Sequence, residues 1–292
     1  MATMYKTAIV TDTNSGLLPE EAEHLGIHLV PMPVIVDEES FFEYVSITQA
    51  DFFARLKGGA AVSTSQPSPD ALLSCWDALL ETYDNLVYIP MSSSLSGEYQ
   101  TAAMLAEDYD GRVHVADTHR ISVTQRQAAL DALHLVQQEK SAAEIKAYLE
   151  HDGRNSDIFI AVNTLELLKK SGRVTAAGAA LGSILSIKPV LRIQGGKLDA
   201  YRKVRGMRAA MQAMIEGLQA DLQQLDCPQV MLRAAYAGDC AAGIAWQAAL
   251  QEAFPECTVG LDPLPLSVCC HVGYGALGVG IAKDILTEGD AI

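Results

Sequence analysis

Short apolar runs alternate with amphipathic stretches along the first half of the chain. Residues 7–10, 29–36 and 86–89 are runs of apolar and β-branched positions, and 113–116 adds Val-His-Val-Ala, the pattern of strands in a covered sheet. Between them the apolar period lengthens to that of a helix. Behind Ser68-Pro69-Asp70, the residues Leu72, Leu73, Trp76, Leu79, Leu80 and Tyr83 recur at helical spacing, with Ser68 as N-cap and Pro69 at the first helical position. Further helices are predicted over 48–57, 95–107 and 122–138. Strand–helix alternation of this kind predicts a parallel sheet covered by helices on both faces.

The second half reads differently. A helix is predicted over 141–150, then a strand over 158–162 leading into a turn at 165–170. Residues 175–185 are small and apolar and suit a tightly packed helix. The runs 189–194 and 197–204 flank Gly195-Gly196, the signal of a β-hairpin. A long helix over 207–225 follows, then further strands and helices. The expected fold class is therefore α/β in two domains. The first, 1–155, is a three-layer α/β/α unit around a parallel sheet, and the second, 156–292, is an α/β unit with a mixed sheet.

Composition narrows the function classes. Of 292 residues, 49% are hydrophobic and 20% charged, the balance of a packed globular chain. With 36 acidic and 21 basic residues the net charge is −15, which disfavours nucleic acid and anionic membrane surfaces as partners. The longest apolar stretch, 175–187, covers about 13 residues and is too short for stable membrane insertion. The opening MATMYKTAIVTD enters a strand-like run without the cationic and apolar segments of a signal peptide, so a cytoplasmic location is expected. Cysteines at 75, 227, 240, 257, 269 and 270 form no CxxC pair. If Cys269-Cys270-His271 is extended, its side chains alternate between faces and make a poor metal site.

Three small polar clusters carry the candidate chemistry: Asp12-Thr13-Asn14-Ser15, Ser63 to Ser68, and Ser92-Ser93-Ser94-Leu95-Ser96-Gly97. Such clusters cap helices. They also form anion sites when hydroxyls and free backbone N–H groups gather beyond strand ends. Both readings apply to these residues. His271 is either a hydrogen-bonded structural residue or a ligand contact, and Lys169-Lys170-Ser171-Gly172-Arg173 is either a basic helix end or a source of a cation. The segment 273–278 spells GxGxxG, but a dinucleotide fingerprint requires a helix, a second strand and an acidic residue about 20 positions on, for which no room follows.

Seven segments in order resemble the DegV family: IVTDTNSGLLP (9–19), VSTSQPSP (62–69), PMSSSLSGEYQTA (90–102), VHVADT (113–118), LELLKKSGRV (165–174), SILSIKPVL (183–191) and HVGYGALGVG (271–280). The resemblance implies two α/β domains with a fatty acid between them. It implies an acyl carrier in phospholipid metabolism, not an enzyme in its own right, with no cofactor beyond the bound lipid. It also implies a partner, a fatty acid kinase of the dihydroxyacetone-kinase type, that phosphorylates the bound carboxylate. Carried over by position, Thr64 and Ser93 hold the carboxylate, and Ser65, Ser92, Ser94 and Ser96 complete the polar shell. His271, Arg173 and Gly273 belong to the head-group network, and Arg202 to kinase docking, with Lys203 and Arg205 as close alternatives. The chain departs from the family pattern at Val272 and Tyr274 (usually Thr and Pro), at Glu98 (usually Thr), and in HRISVTQRQ after Asp117-Thr118.

A fatty acid of about C14–C18 suits this division of labour. Burying about 15 methylenes at roughly 0.8 kcal/mol each gives on the order of 12 kcal/mol gross, while the hydroxyls orient the head group. Two other classes compete. A serine hydrolase would use Ser93 or Ser96 with His271 and Asp12, although no GxSxG elbow is present. A relative of the dihydroxyacetone-kinase fold would bind a small ketone through a His in a compact polar pocket.

Overall fold

The computed structural model describes residues 6–180, 187–223 and 229–285. Strand β1 (Thr7–Asp12) ends in a short 3-10 turn at Thr13–Ser15. Helix α1 (Pro19–Leu25) begins with its proline in the first turn and stops at Gly26, whose φ of +71° suits glycine. Then come β2 (Ile27–Val30), β3 (Pro33–Val36) and β4 (Glu39–Phe42). The single strand expected over 29–36 is thus two strands, broken at Pro31-Met32, and they belong to different sheets. Proline cannot donate to a ladder, and two prolines in three residues end one strand and start another.

Helix α2 (Gln49–Lys57) is capped by Thr48, and β5 (Val62–Thr64) follows. Helix α3 (Pro69–Leu80) starts as expected, with the Ser68 hydroxyl accepting from Ala71 N–H and with Leu72 and Trp76 buried. Next come β6 (Asn85–Ile89), α4 (Glu98–Ala106), β7 (Val113–Val115), α5 (Val123–Gln137) and α6 (Ala142–Asp152). Strands β2-β1-β6-β7 form a parallel sheet in that order. Helices α1, α5 and α6 cover one face, packing Ala22, Ala128 and Ile145 on Ile9 and Val87. Helices α3 and α4 cover the other, where Trp76 and Ala102 meet Val10 and Tyr88. This is the three-layer arrangement.

Strand β8 (Ser156–Ala161) opens the second sheet. It is followed by α7 (Glu166–Ser171), which is helical where a turn was expected, and by α8 (Ala176–Ala180). Then β9 (Ile187–Ile193) and β10 (Asp199–Arg205) form the expected hairpin, with Gly195 at φ +68° in the turn. Helix α9 (Met207–Leu222), β11 (Val230–Tyr236), α10 (Cys240–Ala253), β12 (Val259–Pro263), α11 (Leu266–Val272) and β13 (Leu277–Lys283) complete the order. The end of the helix predicted over 175–185, the last residues of that over 207–225, part of SILSIKPVL, and Cys227 lie outside the described residues.

The second sheet runs β10-β9-β8-β13-β11-β12 and is mixed: β11 and β12 are parallel and the other pairs antiparallel. Side-chain alternation along β8 divides two cores. Phe159 and Ala161 pack with α9 and α10. Ile158 and Ile160 turn to the opposite face, against Leu168 of α7 and Cys269 of α11. A third sheet, β4-β3-β5, closes that opposite core through Val34, Val36 and Val62. Its β3–β4 turn is Asp37-Glu38, both at positive φ. Cys269-Cys270-His271 is helical, not extended, and both cysteines are buried and free. The GxGxxG glycines lead into strand β13 rather than a helix. No described helix is long and apolar enough to cross a membrane.

Candidate functional site

The C-terminal end of β5 meets one face of α11. Thr64 Oγ1 lies 3.1 Å from His271 Nε2. Burial and the neighbouring Arg173 guanidinium push the imidazole down to about 4, so His271 is neutral near pH 7. A neutral ring with Nε2–H donates to the Thr64 oxygen and leaves the Thr64 hydroxyl hydrogen free for another acceptor. His271 Nδ1 has no hydrogen-bond partner among the described residues.

Arg173 follows α7, which ends at Gly172. Its Nε donates to the Leu95 carbonyl at 3.4 Å and its Nη1 to the Ser171 carbonyl. Among the described residues it makes no ion pair with a carboxylate. A guanidinium with no carboxylate partner among the described residues can receive an anion.

These three residues border an inner cleft of about 150 Å³. Its polar lining also includes Asn14, Ser65, Gln66, Ser96 and Ser267, and its apolar lining is Met32, Met91, Leu95, Ile121, Leu198 and Val268. Two further cavities adjoin it. One, of about 400 Å³, shares Ser96, Gly97 and Arg173 with the cleft and adds Ser93, Ser94 and Lys197. The other, of about 240 Å³, shares Thr64, Arg173 and His271 and adds Leu167, Lys170 and Cys270. Arg173 borders all three.

The residues singled out in the sequence fall into groups. Thr64, Ser65, Ser96, Arg173 and His271 are together at the cleft. Ser93 and Ser94 face the adjoining polar cavity, and Ser93 N–H donates to Asp117 Oδ1 at 3.2 Å. Ser92 is fully buried, its N–H bonded to the Arg120 carbonyl and its hydroxyl accepting from Ser94 N–H. Gly273 ends α11 at φ +76° behind His271, with room for a Cβ only 3.3 Å from Leu167. Arg202 lies on β10, exposed and paired with Glu216 of α9, and borders none of these cavities.

Two buried acids shape the surroundings. The Asp12 oxygens accept the N–H groups of Asn14 and Met91, each at 2.7 Å, and burial raises its carboxyl to about 6. Glu98, in the first turn of α4, bonds the Tyr88 hydroxyl. Burial, with Asp12 nearby, raises the Glu98 carboxyl well above the usual carboxylate range. Asn14, Gln66 and the two methionines are lining residues that sequence reasoning did not assign. Asn14 and Gln66 carried a signal, as parts of the Asp12–Ser15 and Ser63–Ser68 clusters, whereas the methionines carried none. The hydrolase triad is not assembled among the described residues: His271 faces Thr64, no described carboxylate orients its Nδ1, and Asp12 is occupied by backbone N–H groups.

Comparison with known proteins agrees with this architecture. A family model described as "Uncharacterised protein, DegV family" matches residues 6–284. A DegV domain-containing protein of Deinococcus radiodurans is 32% identical over 275 residues, covering 94% of this chain and 97% of the relative. A solved Thermus thermophilus DegV family protein, described by its fatty acid binding, superposes with a TM-score of 0.87 at 29% identity, over 95% of this chain and 99% of that one. DegV of Bacillus subtilis, described as a fatty acid binding protein, gives a TM-score of 0.85 at 25% identity, over 96% and 100%. With a family match over nearly its whole length and these relatives in sequence and structure, the chain belongs to the DegV family.

Proposed function

We propose that this chain binds a long-chain fatty acid and presents its carboxylate to a separate fatty acid kinase. The observation that carries the reading is the Thr64–His271 pair beside Arg173, which makes no ion pair among the described residues, at a cleft that also carries methionines and aliphatic side chains. The fatty acid binding described for the Thermus and Bacillus proteins supports it. In this reading the halves 1–155 and 156–292 close on the ligand. The Thr64 hydroxyl donates to the carboxylate, His271 donates in turn to Thr64, and Arg173 offsets the charge. The apolar lining takes the tail and supplies most of the affinity. A compact polar site for a small ketone does not match this lining.

The carboxylate then sits where the inner cleft meets the Ser93–Lys197 cavity, the side from which a phosphoryl donor reaches it. The chain acts as a carrier, and the chemistry belongs to the kinase. Arg202, exposed on β10, is the docking residue in this account. The test is to incubate the protein, a fatty acid and ATP with and without a fatty acid kinase. Acyl-phosphate forming only when all are present supports the carrier role. Acyl-phosphate formed without the kinase, or none with several such kinases, contradicts it.

A further inference from the structure

One turn before His271, helix α11 carries Ser267, and both face the inner cleft. Ser267 and Asn14 are 4% and 1% exposed, yet both border the cleft, together with the apolar Met32, Met91, Leu95, Ile121, Leu198 and Val268. The Ser267 hydroxyl donates to Asn14 Oδ1 at 2.5 Å. That bond fixes the amide, whose Nδ2 donates to the Met91 thioether at 3.3 Å. Asp12 holds the backbone of both Asn14 and Met91, so the arrangement is rigid.

A thioether is a weak acceptor, so a buried amide donor here has a poor partner inside an acyl-binding cleft. Ser267 Oγ gives its one hydrogen to Asn14 and keeps its capacity to accept. A donor N–H and an accepting oxygen therefore stand side by side. A methylene satisfies neither, a carbonyl only the first, and a hydroxyl both. At 1.5 Å rise per residue, Ser267 lies about 6 Å along the helix from His271. With carbon–carbon bonds of about 1.5 Å in a zigzag, this corresponds to roughly five carbons from the head group.

We propose that Asn14 and Ser267 form a hydroxyl-reading subsite, and that the preferred ligand is a long-chain fatty acid hydroxylated a few carbons from its carboxyl group. The proposal rests on the fatty-acid reading of the cleft and narrows its ligand class.

The test compares binding of stearate, stearate hydroxylated singly at each carbon from the third to the seventh, and stearate hydroxylated beyond mid-chain. At least one proximal isomer is expected to bind about tenfold more tightly than stearate. Ser267→Ala and Asn14→Leu should each erase that advantage, read within each variant as the ratio of its affinity for the hydroxylated acid to its affinity for stearate. Ser267→Ala removes only an oxygen and serves as the decisive variant if Asn14→Leu perturbs the fold. Proximal isomers that bind no better than stearate, or an advantage that survives Ser267→Ala, overturn the proposal. Binding of stearate alone removes the subsite and leaves the carrier reading intact, whereas binding of none of these acids removes both.

Discussion

Thr64 Oγ1 and His271 Nε2 are 3.1 Å apart although 207 residues separate them in the chain. The contact joins the small antiparallel sheet of the first half to a helix of the second. If the Thr64 hydroxyl donates to a bound carboxylate, Thr64→Val keeps the branched shape and loses the donor. A hydrogen bond to a charged group contributes about 1.5–3 kcal/mol, so fatty-acid affinity should fall roughly ten- to hundredfold, and further with Ser93→Ala. Titration calorimetry measures the loss, and the thermal midpoint should stay near the wild-type value. Unchanged affinity would show the head-group assignment to be wrong.

His271 should titrate near pH 4 in the empty protein, because burial and Arg173 disfavour the imidazolium. The unfolded chain takes up this proton near pH 6.5, so His271 lowers the stability of the fold as pH falls from about 6.5 to 4. A bound carboxylate favours the charged ring and should move the titration upward. Imidazole NMR signals, assigned with His271→Gln, follow both effects. Ordinary titration near 6.5 in the empty protein contradicts the burial of the ring.

Glu43 accepts the Leu266 N–H at 2.8 Å and so fixes the start of the helix that carries Ser267 and His271. Burial raises its carboxyl to about 7 from 4.5. A raised carboxylate pKa means stability that is complete below pH 4.5 and lost as pH rises to about 7. Glu43→Gln removes this slope. Its stability relative to wild type should improve over that interval by on the order of 3 kcal/mol, read from urea unfolding at pH 5 and pH 8. A constant difference between the two proteins would show that Glu43 keeps its charge.

Gly238 has φ +74°, and a Cβ there would meet the Tyr274 ring at 2.7 Å and the Phe53 ring at 2.8 Å. Gly238→Ala combines a left-handed backbone with overpacking and should cost about 2–4 kcal/mol in unfolding free energy. An unchanged denaturation midpoint would mean that the Tyr274–Phe53 pair moves aside freely.

What the sequence revealed depended on the range of the interaction involved. The Ser68-Pro69 start of α3 and the Gly195-Gly196 hairpin are local devices, and both form as expected. The break at Pro31-Met32 was hidden because Leu29, Val30, Val34 and Ile35 read as one apolar run. The β3–β4 turn uses Asp37-Glu38 instead of the usual Asn-Gly, and β4 is largely exposed, so the third sheet left little pattern. Helix α11 is buried nearly all round, which removes the amphipathic period and let Cys269-Cys270-His271 pass for a strand. At the site, the Ser and Thr clusters were visible as hydroxyl-rich loops. Their meeting with His271 and Arg173, and the packing of Met32 and Met91 around them, follow from tertiary contacts that no local pattern encodes.

The most direct test of the central claim is native mass spectrometry of the purified protein, before and after incubation with C14–C18 fatty acids. The account predicts a one-to-one adduct with the mass of a long-chain fatty acid, lost when organic solvent denatures the protein and weakened in Thr64→Val. A chain that stays empty after incubation with these acids would contradict it.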